Sequence, residues 1–244
     1  MIHGPKYGTP AWNEFRRGKV TASRFGDIMT EPRTKGVPGA LGKTAEGYML
    51  EVVASAITGQ DKVGGRSAAM DRGVDLESDA IDAYAAQRFV EVGAGHILQR
   101  ADHIICATPD GFVDEDEQGP GLLEVKCPES RTHLSTFLRR QLPDEYLYQV
   151  QGQLWVAERA WCDFISYDDR FPRPMQLVVI RVHRDEELIE AMAKKVYAFA
   201  DIVQTRINAL REFLRDADPE HAELVHKSLL QDQEEPLPSQ PEAE

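Results

Sequence analysis

Apolar residues along this chain fall into two spacings, every third or fourth residue in some stretches and every second or continuously in others, and the switches between them mark its elements. Thr9-Pro10 opens a short helix, with Thr as cap, Pro in the first turn, Trp12 and Phe15 as apolar contacts and Gly18 as its stop. Thr21-Ala22-Ser23 caps a second short helix through Phe25 and Ile28. Thr44 caps a third that runs to Thr58, with Tyr48, Met49, Val52, Val53, Ala56 and Ile57 at helical spacing and Gly59 at its end. A long helical pattern follows over about 68–89, its stripe made of Val74, Leu76, Ala80, Ile81, Tyr84 and Ala85.

The period then shortens. Residues 90–98 and 102–107 predict antiparallel strands that lead into a hairpin. The hairpin joins the apolar run ending in Thr108-Pro109-Asp110-Gly111-Phe112, across an acidic turn, to Leu122-Leu123-Glu124-Val125-Lys126-Cys127-Pro128. Alternation along that second strand aims Leu123 and Val125 into the core and Glu124 and Lys126 the other way. A helix over 130–140, another from Asp144 through Trp155, strands over 161–167 and 175–183 and a final amphipathic helix over about 185–215 complete the pattern. Residues 30–43 and 60–66 are rich in loop formers. The expectation is one α/β domain over 1–215 and an acidic C-terminal segment over 216–244, disordered from about Gln231.

Composition narrows the class. The 244 residues, 42% hydrophobic and 28% charged, suit one soluble globular domain. No run approaches the roughly 18–20 apolar residues of a membrane span, and Met1-Ile2-His3-Gly4 does not open a signal peptide, so a cytoplasmic protein is expected. Cys106, Cys127 and Cys162 lack metal or disulfide spacing and read as reduced thiols in apolar surroundings. A net charge of −13 argues against a nucleic-acid partner. Its distribution softens that objection, because Lys6, Arg16, Arg17, Lys19 and Arg24 crowd the start and acidic residues the end.

Candidate chemistry centres on the hairpin. Asp110, Glu124 and Lys126 would converge at the rim of a sheet, two carboxylates and an ammonium able to hold Mg²⁺ or Mn²⁺ and handle a phosphate. A Glu-x-Lys on a strand is also the pattern of a solvated cross-strand pair. Glu77 lies on or beside a buried stripe and either pairs with Arg72 or Arg88 or faces the site. Arg16, Thr21 and Ser23, at helix ends, form a phosphate cradle or are plain caps and a solvated Arg. Gln149 and Gln153 share a helix face, whereas Gln151 lies on another, and exposed glutamines without a role are the alternative.

Several stretches together resemble one family, the YqaJ-like viral recombinases of the phage lambda exonuclease type, within the PD-(D/E)xK nuclease superfamily. They are Trp12-Asn13-Glu14-Phe15-Arg16 with Thr21-Ala22-Ser23, Arg72-Gly73-Val74-Asp75-Leu76-Glu77, Thr108-Pro109-Asp110-Gly111, and Leu123-Glu124-Val125-Lys126-Cys127-Pro128. Gln149-Val150-Gln151 with Trp155, and Tyr167-Asp168 with Arg170-Phe171, extend the match in order to residue 171. The resemblance implies a restriction-endonuclease-like core, a mixed central β-sheet flanked by helices. It implies a Mg²⁺-dependent 5′-to-3′ exonuclease on double-stranded DNA, two metals per site, and a homotrimer around the duplex that works with a single-strand annealing protein. Asp110, Glu124, Glu77 and the Val125 carbonyl are then metal ligands. Lys126 acts on the attacking water with a lowered pKa, Arg16, Thr21 and Ser23 hold the 5′-phosphate, and Gln149 and Gln151 line the cleft. Competing readings are another nuclease of the superfamily, RecB-like, and a non-catalytic DNA-end-binding scaffold. Three scattered cysteines cannot supply a Cas4-like iron–sulfur cluster. A non-heme iron site on His96 and His103 lacks a supporting motif.

Overall fold

The computed structural model describes residues 1–31, 41–60 and 68–217. Most of the loop expected over 30–43, nearly all of that over 60–66, and the acidic segment past residue 217 lie outside the described residues. The chain opens with β1 (Ile2–Lys6), α1 (Pro10–Arg16) and β2 (Val20–Thr21), then a 3-10 turn (Ala22–Arg24) runs into α2 (Phe25–Ile28). Two longer helices follow, α3 (Lys43–Thr58) and α4 (Ala68–Arg88). Next come β3 (Gly93–Ala94), β4 (His96–Gln99), β5 (Ile105–Ala107), β6 (Gly111–Val113) and β7 (Gly121–Lys126). After α5 (Ser130–Arg139), a 3-10 turn (Asp144–Tyr146) and α6 (Leu147–Ala157), β8 (Trp161–Tyr167) re-enters the sheet. A short α7 (Arg173–Gln176), β9 (Leu177–His183) and α8 (Glu186–Ala217) complete the described chain.

Caps follow the local chemistry at Thr9 and Gly59 but not at Thr44 or Thr21. The Thr9 hydroxyl accepts the Trp12 N–H at 3.2 Å, and Gly59 closes α3 in the left-handed region at φ 66°. Thr44 is not a cap, because α3 starts one residue earlier, behind Gly42.

The fold class is α/β, as expected, but the strands divide between two mixed sheets, ordered β1-β4-β5-β2 and β3-β6-β7-β8-β9. Pro109 explains the division. It has no N–H to give to a ladder, so the chain leaves one sheet at Ala107 and enters the other at Gly111, with Asp110 at the crossing. The expected hairpin forms, Gly111 opposite Leu123 and Val113 opposite Gly121, and β4 pairs antiparallel with β5. On its other side β7 runs parallel to β8, Lys126 opposite Ser166, and α5 and α6 make up the crossover that parallel neighbours require.

Both faces of β7 are covered. Leu123 and Val125 pack with Ala80 and Tyr84 of α4 and with Trp161 and Ile165 of β8. Leu122 belongs to the larger cluster on the opposite face, with Val150 and Leu154 of α6 and Phe199 and Val203 of α8. A polar side chain on such a strand is carried into the interior and must find partners there.

Candidate active site

Glu124 is that side chain, 1% exposed. The Lys126 ammonium reaches one of its oxygens, which also accepts the Gln149 amide at 2.5 Å, while Gln153 donates to the other at 2.6 Å. Asp110 stands beside them across the hairpin. Its amide donates to the Leu123 carbonyl at 3.0 Å and its carboxylate accepts the Val125 N–H at 2.7 Å. Val125 thus holds Asp110 through its amide, with its side chain among the apolar residues facing α4. The Lys126 ammonium also lies 5.3 Å from the centre of the Tyr146 ring. Glu77 sits half-buried on the α4 stripe that carries Ala80 and Tyr84. Among the described residues it makes no ion pair. Arg72, one of its expected partners, is engaged by Asp168 and Asp169 instead.

The charges act on one another. Burial, then Glu124, push the Glu77 carboxyl above its usual range. Burial and Glu124 do the same more strongly to Asp110, against the opposing pull of Lys126. Lys126 lies under opposing pulls. Burial pulls it down, but the adjacent Glu124 and Asp110 raise it further, so the ammonium is held protonated. Burial lifts the Cys106 thiol to about 12 and, with smaller pushes from Glu77 and Asp110, the Cys127 thiol to about 11. All three cysteines are free.

The donor set is made of hard oxygens, which suits a divalent cation such as Mg²⁺. Two features fit one. The Glu124 carboxylate adds to burial in raising the pKa of both Glu77 and Asp110, and Gln153 Oε1 is buried without a hydrogen-bond partner beside Glu124. Glu124 is already engaged by Lys126 and two amides. Among the described residues no three carboxylate, imidazole or thiol groups stand close enough to form a complete ligand set as arranged.

The three glutamines separate as helical geometry demands. Gln149 and Gln153 face Glu124 from α6, and Gln153 also reaches the Thr108 carbonyl at 3.3 Å. Gln151 lies away from the group. It donates to the His183 carbonyl at 2.9 Å and accepts the Asp185 N–H at 3.0 Å, joining α6 to the start of α8. Gln153 was absent from the set implied by the resemblance, although its spacing from Gln149 pointed to it.

The Arg16 group forms a second cluster. Thr21 and Ser23 hydroxyls lie 3.0 Å apart, and the Thr21 N–H donates to the buried Tyr48 hydroxyl at 2.8 Å. The Thr21 side chain does not cap the turn that follows, leaving its hydroxyl directed to Ser23. Arg16 stacks over Trp12 at 5.3 Å and makes no salt bridge among the described residues. Trp12 Nε1 in turn donates to the Thr108 hydroxyl at 3.1 Å, two residues before Asp110. Helix α6 touches both clusters. Gly152 lets it do so, since a Cβ there would fall 2.5 Å from the Phe25 ring. His96 and His103 do not converge: His96 stacks on Phe112 at 4.5 Å, and His103 meets Asp201 at 3.0 Å.

Comparison with known proteins finds relatives of the chain as a whole. Residues 11–160 match the YqaJ-like viral recombinase domain. The structure superposes on an alkaline exonuclease, LHK-Exo, from Laribacter hongkongensis with a TM-score of 0.74 and 33% identity, covering 86% of this chain and 100% of that one. The same exonuclease in complex with dAMP matches at 0.73 and 34% identity, with the same coverage. A phage-related exonuclease from Haemophilus somnus 129PT shares the fold at 0.62 and 19% identity, over 79% of this chain and 96% of that one. An uncharacterized protein, R354, of Acanthamoeba polyphaga mimivirus is 38% identical over 93 residues, 34% of this chain and 17% of its own length. No helix among the described residues is long and apolar enough to cross a membrane. The chain belongs to the YqaJ-like viral recombinase domain family.

Proposed function

We propose that this protein is a metal-dependent exonuclease that degrades the 5′-ended strand of linear double-stranded DNA and leaves 3′ single strands for recombination by annealing. The observation that carries the reading is Glu124 and Lys126 on β7 beside Asp110 at the strand crossing, in a chain that spans the full length of LHK-Exo at 33% identity.

In this reading Asp110, Glu124, Glu77 and the Val125 carbonyl hold the divalent metal. When bound, it supplies Lewis acidity to the phosphodiester and a more acidic water. The chain's own residues do the rest. Gln149 and Gln153 fix the Glu124 carboxylate from both sides, so that its orientation does not depend on solvent. Lys126, held protonated by its neighbours, sets positive charge where a phosphorane-like transition state gathers negative charge. It can also pass its proton once those carboxylates are otherwise neutralised. Arg16, Thr21 and Ser23 hold the terminal 5′-phosphate through one guanidinium and two hydroxyls. A homotrimer enclosing the duplex and a separate annealing protein extend the proposal, on the family resemblance alone.

The test is digestion of a linear duplex labelled at either end, with Mg²⁺ and with EDTA. Mg²⁺-dependent release of 5′-terminal mononucleotides is the expected outcome. Release from 3′ ends or internal cuts would move the protein to another branch of nucleases. Inertness beside intact end binding would make it a scaffold.

A further inference from the structure

Two of the stretches that resemble the family, the one that opens at Arg72 and ends at Glu77 and Tyr167-Asp168 with Arg170-Phe171, carry residues, Arg72 and Asp168 among them, that have no part in the chemistry above. The fold brings them together on one carboxylate. Asp168 follows the last residue of β8 and is 0% exposed. It accepts from Arg72 Nη2 at 3.0 Å and from the Ser130 hydroxyl at 2.7 Å. Arg170 gives it three more bonds, from its main-chain N–H at 3.1 Å, Nε at 2.8 Å and Nη2 at 3.0 Å. Its own N–H donates to the Gln176 carbonyl at 3.0 Å. A carboxylate without access to water is tolerated only when paired in this way. Burial would raise its pKa, but the bonds from Arg170 and Ser130 outweigh that and hold it well below the usual carboxylate range.

The donors come from the two flanks of the active site. Arg72 lies on α4 five residues before Glu77, about 7.5 Å along the helix. Ser130 opens α5 four residues after Lys126, and β8 carries Ser166 opposite Lys126. The α5–β8 seam is closed further by His133, whose ring bonds the Ser166 hydroxyl at 2.9 Å and the Met175 carbonyl at 2.7 Å. Among the described residues Glu77 makes no ion pair, and it is repelled by Glu124, so a hold on the first turns of α4 bears on where it sits. The Arg72 bond to Asp168 is such a hold, and Arg72 also reaches the neighbouring Asp169.

Resting on the metal-dependent reading of the site, we propose that Asp168 is a positioning residue that fixes where α4 presents Glu77 relative to Asp110 and Glu124, and so sets the affinity for divalent metal. A misplacement on the order of 1 Å is enough to cost about 10²-fold in such a site.

The experiment is direct Mn²⁺ binding to DNA-free protein by electron paramagnetic resonance, with circular dichroism and melting temperature recorded on the same samples. Asp168→Asn and Arg72→Gln are each expected to weaken Mn²⁺ binding by about 10–100-fold. The Mg²⁺ concentration for half-maximal digestion should rise in parallel, and duplex-end binding in EDTA should stay near wild type. Mn²⁺ affinity unchanged in folded Asp168→Asn protein, whatever its melting temperature, would reduce Asp168 to a stability contact and overturn the proposal. Should Asp168→Asn fail to fold, Arg72→Gln decides, because it leaves Asp168 paired with Arg170 and Ser130. Wild-type protein that neither binds Mn²⁺ nor digests DNA would instead remove the metal-dependent reading, a result distinct from equal binding by wild type and variants.

Discussion

Asp110 is held by the Val125 N–H at 2.7 Å, yet burial and the nearby Glu124 push its carboxyl up. The folded protein therefore binds more protons there than the unfolded chain does, and stability falls as pH rises from the ordinary carboxylate pKa through the raised one. Asp110→Asn, which can keep the bond from Val125, is expected to raise the melting temperature measured at pH 8 without divalent metal. A gain on the order of 1 kcal/mol corresponds to roughly 2–4 °C in a chain of this size. Added Mg²⁺ at a hundredfold excess over its dissociation constant should stabilise wild type by about 2.7 kcal/mol, raising its melting temperature, and leave the variant where it was. A variant less stable than wild type, or stabilised equally by Mg²⁺, would remove Asp110 from the metal set. Lys126→Ala takes away the ammonium bonded to Glu124 and is expected to lower cleavage by at least about 10²-fold with end binding retained. Normal digestion by that variant would place the chemistry elsewhere.

At the scale of the element, α6 shows which part of the site its spacing revealed. Gln149 and Gln153 lie one turn apart and meet the two oxygens of one carboxylate, which follows from helical geometry alone. Gln151 points to the junction of β9 and α8, and that partner lies 32 to 34 residues further along the chain, out of reach of any local pattern. The same limit hid Asp168, whose bond to Arg72 joins positions 96 apart. The hairpin was legible because its turn and both strands are contiguous, whereas the division into two sheets depends on pairings that periodicity does not specify. Gln149→Ala and Gln151→Ala separate the two jobs. Gln149→Ala is expected to lower kcat at least about tenfold, as loss of a residue orienting a ligand does, with little change in melting temperature. Gln151→Ala strands a carbonyl and an N–H and should cost about 1–3 kcal/mol of stability, with kcat per folded molecule close to wild type. The opposite assignment of effects would return Gln151 to the cleft.

For the molecule as a whole, a net charge of −13 has to be reconciled with a polyanionic substrate. Many of the described arginines are already committed to carboxylates. Arg24 is paired with Asp27 and Glu51, Arg181 with Asp116 and Asp163, and Arg184 with Glu186. Arg16 makes no such pair among the described residues and lies over Trp12, whose indole bonds the segment leading to Asp110. Attraction to DNA is therefore expected to rest on a few uncommitted cations close to the site, not on a broad basic face. The salt dependence of end binding measures how few. Each neutralised phosphate contributes a slope of about −0.9 in the logarithm of the binding constant against that of salt for a duplex, and about −0.7 for a single strand. Arg16→Ala should flatten the slope by about one unit and abolish the preference for 5′-phosphorylated over 5′-hydroxyl ends. A slope and an end preference both unchanged in Arg16→Ala would mean that the terminal phosphate is held by other residues, and the cluster of Thr21 and Ser23 would then be a local cap and nothing more.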